Sequence, residues 1–174
     1  MDTKTILQKF EETAAFYMNE LERYTAEALA KKPADDEWSI GQMYDHLLHS
    51  ANYMQLKAVE ACALGQGTIG AEKSEAGAHI FALGQFPPIQ IKVPASAQYA
   101  PSNEHAPEEL KQRLHALVEK MREVEPTLST ISSEQRYSHP RLGHLSAVEW
   151  YHLVDMHFKH HLRQKERLDQ FVGA

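Results

Sequence analysis

The sequence predicts an all-α protein: a four-helix bundle with one long irregular connection between its second and third helices. Three observations carry this. Apolar residues recur at three- and four-residue spacing over four long stretches. Two of those stretches open on a capping box. Glycine and proline concentrate in one interval, about 66–106, which has no long periodic run. Four amphipathic helices need a shared core, and a bundle supplies it.

The first helix is expected to follow Asp2 as N-cap, with Ile6, Leu7, Phe10, Ala14, Phe16, Tyr17, Leu21, Tyr24 and Ala28 on its apolar stripe. Lys31, Lys32 and Pro33 should end it, the lysines at the negative pole of the dipole. The second helix starts at Ser39, with Gln42 completing the box and Trp38 and Met43 in the staple positions. Its stripe reads Ile40, Met43, Leu47, Ala51, Met54, Ala58, and Gly65-Gln66-Gly67 stops it. In the connection, 72–83 reads as a short helix and 88–94 as an extended edge segment. A connection this long is either a functional lid or a solvated crossover.

The third helix opens at Pro107, followed by Glu108 and Glu109. Leu110, Leu114, Leu117, Met121, Val124, Leu128 and Ile131 keep phase across Pro126, which reads as one helix kinked there. The fourth helix repeats the logic of the second, with Ser146 and Glu149 as the box and Leu145 and Trp150 as the staple.

The chain has 174 residues, which suits a single domain spanning 1–174. Its net charge is −6 without basic runs, so neither nucleic acid nor an anionic membrane is an expected partner. No apolar run approaches the roughly 18 residues of a membrane span. The single cysteine, Cys62, excludes an intramolecular disulfide framework and fits a reducing compartment. An early acid leads straight into a helical pattern, so no signal peptide is expected and the cytoplasm is the expected location.

The unusual number is 11 histidines. At roughly 100° per residue, His157 and His161 lie about 40° apart on the fourth helix and share a face with Trp150, Leu153, Val154, Gln164 and Leu168. Two imidazoles one turn apart can chelate one ion, or can simply be core histidines satisfied by hydrogen bonds. His152 points away from that stripe and His160 flanks it. A third ligand must come from another helix. His46 lies at the edge of the second helix's apolar stripe, where a ligand lining a cleft would sit, and His49 lies opposite. His139 and His144 precede the fourth helix and read as loop structure or cap packing.

Other motifs lead nowhere. Gly65-Gln-Gly-Thr-Ile-Gly70 matches GxGxxG but follows a helix, with no βαβ pattern around it. Glu149-x-x-His152 matches half of a di-iron element, and no second copy exists. H-E-x-x-H and G-x-S-x-G are absent. Cys62 reads as a small buried residue.

The segment Trp38-Ser-Ile-Gly-Gln-Met-Tyr-Asp-His46-Leu47 resembles the W-S…H-L pattern of the DinB-like family. The run His139-Pro-Arg-Leu-Gly143-His-Leu-Ser-Ala-Val-Glu149-Trp150, followed by His157-x-x-x-His161-Leu-Arg-Gln164, is similar to that family's second motif. The likeness covers essentially the whole chain. It implies an up-down-down-up bundle and a divalent metal ion, zinc, nickel or iron, held by His46, His157 and His161. It also implies a transferase, isomerase or hydrolase acting on a small molecule, with a low-molecular-weight thiol as co-substrate in some members. Other members are known without an activity, which leaves a non-catalytic metal-binding or stress-associated role as the alternative. Asp45 and Gln164 are the candidate residues that orient the imidazoles. No catalytic residue is named. Tyr151, Phe158 and Leu162 form a secondary stripe about 100–140° from His157, expected to pack on the third helix or on a second subunit of a homodimer.

Overall fold

The computed structural model describes residues 2–88 and 100–174. The extended segment expected at 88–94 lies outside them, apart from Pro88.

Helix α1 (Thr3–Glu20) starts where expected, the Asp2 side chain accepting from the Thr5 N–H. It stops early. Leu21–Arg23 tightens to a 3-10 turn, Tyr24 is extended, and Thr25 caps a separate short helix, α2 (Ala26–Ala30). The single helix expected to reach Lys31 is therefore two, because the Thr25 hydroxyl takes the Ala28 N–H and starts a new helix.

The second rod is α3 (Ile40–Ser50), a π turn (Ala51–Gln55) and α4 (Leu56–Ala63). Its Ser39–Gln42 capping box forms in both directions. The π turn overturns the stripe at Met54, while Ala58, the last stripe residue, is buried as expected. One extra residue in a turn shifts the helical phase by about 100°. The buried position falls on Gln55, 1% exposed, and Met54, placed in the core by the sequence pattern, is 38% exposed.

Helix α5 (Glu75–Leu83) occupies the predicted short helix. The third rod, α6 (Pro107–Val124), continues as a 3-10 segment (Glu125–Thr130) and not as a kinked α-helix. Pro126 has no N–H to give the carbonyl four residues back, so the α ladder cannot run through it. The fourth rod is α7 (Ala147–His160) and α8 (Leu162–Val172), again with a complete capping box at Ser146. The two join at His161, whose N–H is shared between the carbonyls of His157 and Phe158.

Side-chain pairs fix the rod directions. Thr13 meets Asp155, Tyr17 the Phe158 carbonyl, and Lys165 reaches back to Glu20, so α1 runs parallel to α7–α8. Thr3–Glu125 and Glu22–Lys111 make α1 antiparallel to α6. Asp45–Arg113 and Asn52–Lys120 make the second and third rods parallel. The bundle is therefore up-down-down-up. Parallel neighbours must be joined by a chain that travels the length of the rod, which is why the second connection is long.

A three-stranded antiparallel sheet was not foreseen from the sequence. Strand β1 (Thr68–Ile69) pairs with β2 (Gln135–His139), which pairs with β3 (Gly143–Ser146). Register pairs are Thr68↔Arg136 and Tyr137↔Leu145. The start of α5 docks on the β2–β3 turn through two glycines. A Cβ on Gly77 would lie 2.2 Å from the Leu142 carbonyl oxygen, and one on Gly143, at φ +76°, 2.3 Å from the Ser74 nitrogen. Lys73 bridges to Glu149 at 2.5 Å, tying the connection to the head of α7.

The core centres on Phe10, Tyr17, Tyr44 and Phe158, stacked edge to face at 5.3–5.4 Å. Tyr151 is fully buried and donates to the Met121 carbonyl of α6. Of the expected stripe Tyr151, Phe158 and Leu162, Tyr151 packs on the third helix, Phe158 packs on α1, which was not an expected partner, and Leu162 is partly buried. Tyr151 and Phe158 are not surface for a second subunit. Among the described residues no helix is long and apolar enough to cross a membrane.

Candidate metal centre

Three histidines from two rods converge. His46 projects from α3, His157 from α7 and His161 from the α7–α8 junction. The His157 Nε2 lies 3.2 Å from the Nε2 of His46 and 3.2 Å from that of His161. All three donor atoms fall within 4.8 Å of one another. Nitrogens bound tetrahedrally at about 2.0–2.1 Å from one ion stand roughly 3.3 Å apart, so the two 3.2 Å separations about His157 match ligation of a single ion. All three histidines are partly buried residues.

Burial sets the protonation state. It is the first cause holding His46 down to about 3, ahead of repulsion from His161 and His49. His161 is held at about 4, again by burial, with the Gln164 bond opposing. Burial, then the two neighbouring imidazoles, keeps His157 well below the ordinary histidine range. Near neutral pH all three rings are uncharged, the form that ligates a metal.

The predicted orienting residues have different surroundings. Gln164 Oε1 lies 2.7 Å from His161 Nδ1 and accepts its proton, which leaves the Nε2 lone pair facing the cluster. The Asp45 carboxylate takes Arg113 at 2.8 Å and the Ser102 N–H at 3.0 Å. It pins the strap at 100–106 to α3 beside His46. Two residues near the centre escaped the sequence reading in this role. Trp38, read there as a staple, lies with its ring 4.8 Å from that of His46 and walls one side. Gln55 brings its side-chain nitrogen to 3.4 Å from His157 Nδ1. No pattern marks Gln55, because only the π turn rotates it inward.

The other histidines stay apart from the cluster's meeting point. His49 is exposed and stacks on Tyr53 at 4.8 Å. His152 lies against Phe81, and His160 against Phe86 at 5.2 Å. The His139 Nδ1 accepts the N–H groups of Arg141 and Leu142, the loop role expected of it. Glu149 serves the cap and Lys73, which removes the di-iron reading. Cys62 is 1% exposed, and burial pushes its thiol pKa up.

The arrangement can hold one ion through three neutral nitrogens. No fourth histidine, cysteine or carboxylate joins the group among the described residues. No curated protein matches the chain. The family model of the DinB superfamily matches residues 9–164, a span that runs from within α1 to Gln164 and includes all three histidines. The chain belongs to the DinB superfamily.

Proposed function

We propose that the chain is a divalent-metal-dependent enzyme acting on a small molecule, with a low-molecular-weight thiol as co-substrate. One observation carries the reading: three uncharged imidazoles point their Nε2 atoms at one place and leave the remaining coordination positions to other ligands. A closed structural site uses four protein donors, whereas a catalytic one keeps a position open. A zinc, nickel or iron ion bound there supplies Lewis acidity, which makes a thiol or water nucleophilic near neutral pH.

The chain's own residues do the rest. His46, His157 and His161 hold the ion. Gln164 keeps His161 in the tautomer that offers Nε2. Trp38 shields the His46 side from water. Asp45, through Arg113 and Ser102, keeps the 100–106 strap against α3 so that His46 does not drift. On the far side Phe86 lies on His160 and the Pro88 carbonyl accepts from Arg163, which brings the connection beside the centre, where an electrophile is held.

The protein works in the cytoplasm, where such thiols are abundant, and as a homodimer. With Tyr151 and Phe158 inside the chain, one exposed apolar surface for a twofold contact is the groove lined by Tyr53, Met54 and Tyr137. Light scattering at micromolar concentration tests this, and a particle of 19.8 kDa alone refutes it.

The test of activity uses untagged protein stripped by chelation and reloaded with zinc, nickel or iron(II). It is then mixed with a panel of biological thiols and a chlorobimane electrophile. Conjugation should need both metal and thiol, and His161→Ala should abolish the gain. A rate unchanged by metal removal refutes the mechanism. Tight metal binding with silence across the panel supports the non-catalytic role instead.

A further inference from the structure

Among the described residues, Gln55 is a buried polar side chain beside the cluster whose chemistry is incomplete. It is 1% exposed. Its Nε2 points at His157 Nδ1 from 3.4 Å, and its Oε1 is buried with no hydrogen-bond partner. A buried orphan acceptor of this kind loses its hydration without a replacement, so its retention needs a reason. The backbone adds a second cost. Gln55 faces inward only because Ala51–Gln55 is a π turn, a local departure from α geometry.

The tautomers of His157 supply the reason. With Gln55 donating to Nδ1, the ring's proton must sit on Nε2. There it bridges to one of the two Nε2 neighbours at 3.2 Å, which holds the cluster together without an ion. Metal ligation needs the opposite tautomer, with the lone pair on Nε2 and the proton on Nδ1. That proton then needs an acceptor. A half-turn of the Gln55 amide exchanges its oxygen and nitrogen and puts Oε1 against Nδ1.

We infer that Gln55 is the positioning residue of His157, its amide turning over to match the metal-free and the metal-bound tautomer of that ring. Resting on the metal reading above, this assigns the π turn a purpose. The ring stays neutral throughout: one proton leaves Nε2 for solvent and one is taken up at Nδ1. A carboxylate at this position would accept only, and a thioether would do neither.

The experiment compares wild type, Gln55→Met, Gln55→Glu and His157→Ala, all untagged. Zinc affinity is read by competition with a chromophoric chelator at pH 7.5. The His157 tautomer is read from its ring 15N shifts, assigned by their loss in His157→Ala. Losing an orienting partner should weaken zinc binding by about 10–100-fold in Gln55→Met, and Gln55→Glu should bind at least as tightly as wild type. In metal-free wild type the proton should sit on Nε2, and in metal-free Gln55→Glu on Nδ1. Zinc affinity in Gln55→Met within twofold of wild type overturns the inference. So does an unchanged tautomer in metal-free Gln55→Glu, a variant that keeps the length and polarity of the native side chain. Equal zinc affinity in wild type and His157→Ala refutes the metal centre instead, and the metal-free tautomers still decide the Gln55–His157 pairing.

Discussion

Lowering the pH from 7.5 to 5.0 should strip the metal-free protein of much of its stability, and the three-histidine cluster should account for most of the loss. The sign follows from proton counting. An unfolded histidine titrates near 6.5, whereas His46 and His161 do so at about 3 and about 4 in the fold. Above 6.5 both states are neutral and the groups contribute nothing. Below it the unfolded chain binds protons that the fold refuses, so stability falls with pH until the folded pKa is reached. At pH 5.0, roughly 1.5 units below the unfolded value, each ring costs about 2 kcal/mol, or about 4 kcal/mol for His46 and His161 together. His157 adds a loss of the same sign. Set against a typical 5–15 kcal/mol, this is a large fraction. The carboxylates Glu20 and Glu149 are lowered below their ordinary range, so their contribution is present above about 4.5 and lost only below it. Urea unfolding followed by circular dichroism, in chelator, gives both stabilities. The double variant His46→Gln/His161→Gln should show a pH-dependent loss smaller by about 4 kcal/mol. His139, held at about 4, contributes equally to both proteins and cancels. Losses equal to within about 1 kcal/mol in the two proteins would refute the argument.

Three further outcomes are expected. His157→Ala should abolish tight zinc binding in a calorimetric titration while His49→Ala, altered at an exposed ring stacked on Tyr53, should leave it unchanged. Thr13→Val removes a 2.8 Å bond to the carboxylate of Asp155, itself 2% exposed, and should cost about 1–3 kcal/mol in urea unfolding. Gly77→Ala drives a Cβ to 2.2 Å from the Leu142 carbonyl oxygen. It should cost about 1–3 kcal/mol and speed hydrogen exchange over residues 72–84, with the bundle core unaffected.

The rods and the cluster could be read from the sequence because both rest on local signals. Ser39 and Ser146 cap their helices through side chains three residues away, and His157 and His161 share a face by spacing alone. What escaped depends on contacts distant in sequence or on departures from ideal geometry. The π turn leaves no trace in an apolar pattern that tolerates either Met54 or Gln55 as its next inward residue. The sheet needs Thr68 to find Arg136, and β2 is too short and too polar to declare itself. The family motif around His139–Gly143 marked this region without revealing that it folds into a hairpin. What Asp45 binds was also not legible: adjacent helix positions diverge by about 100°, and its carboxylate takes Arg113 of α6 and the Ser102 N–H.

The parallel course of α1 and α7–α8 has a practical side for anyone who handles this protein. The head of α1 lies by Glu125, whereas the tail of α8 lies by Lys31, whose ammonium sits over the Phe171 ring. The 18 residues of α1 span about 27 Å, so the two ends of the chain emerge at opposite poles of the bundle. The cluster belongs to the α8 pole, since His161 begins that helix and His46 stands in the second turn of α3. A polyhistidine tail fused after residue 174 would start about 16 Å away, the length of α8, and could fold back to compete for the same ions. A tail fused ahead of residue 1 would start a helix length away. Purification handles and fluorescent fusions are therefore best carried on the α1 side, and joining the head of α1 to the tail of α8 in a circular permutant would require a linker spanning the bundle.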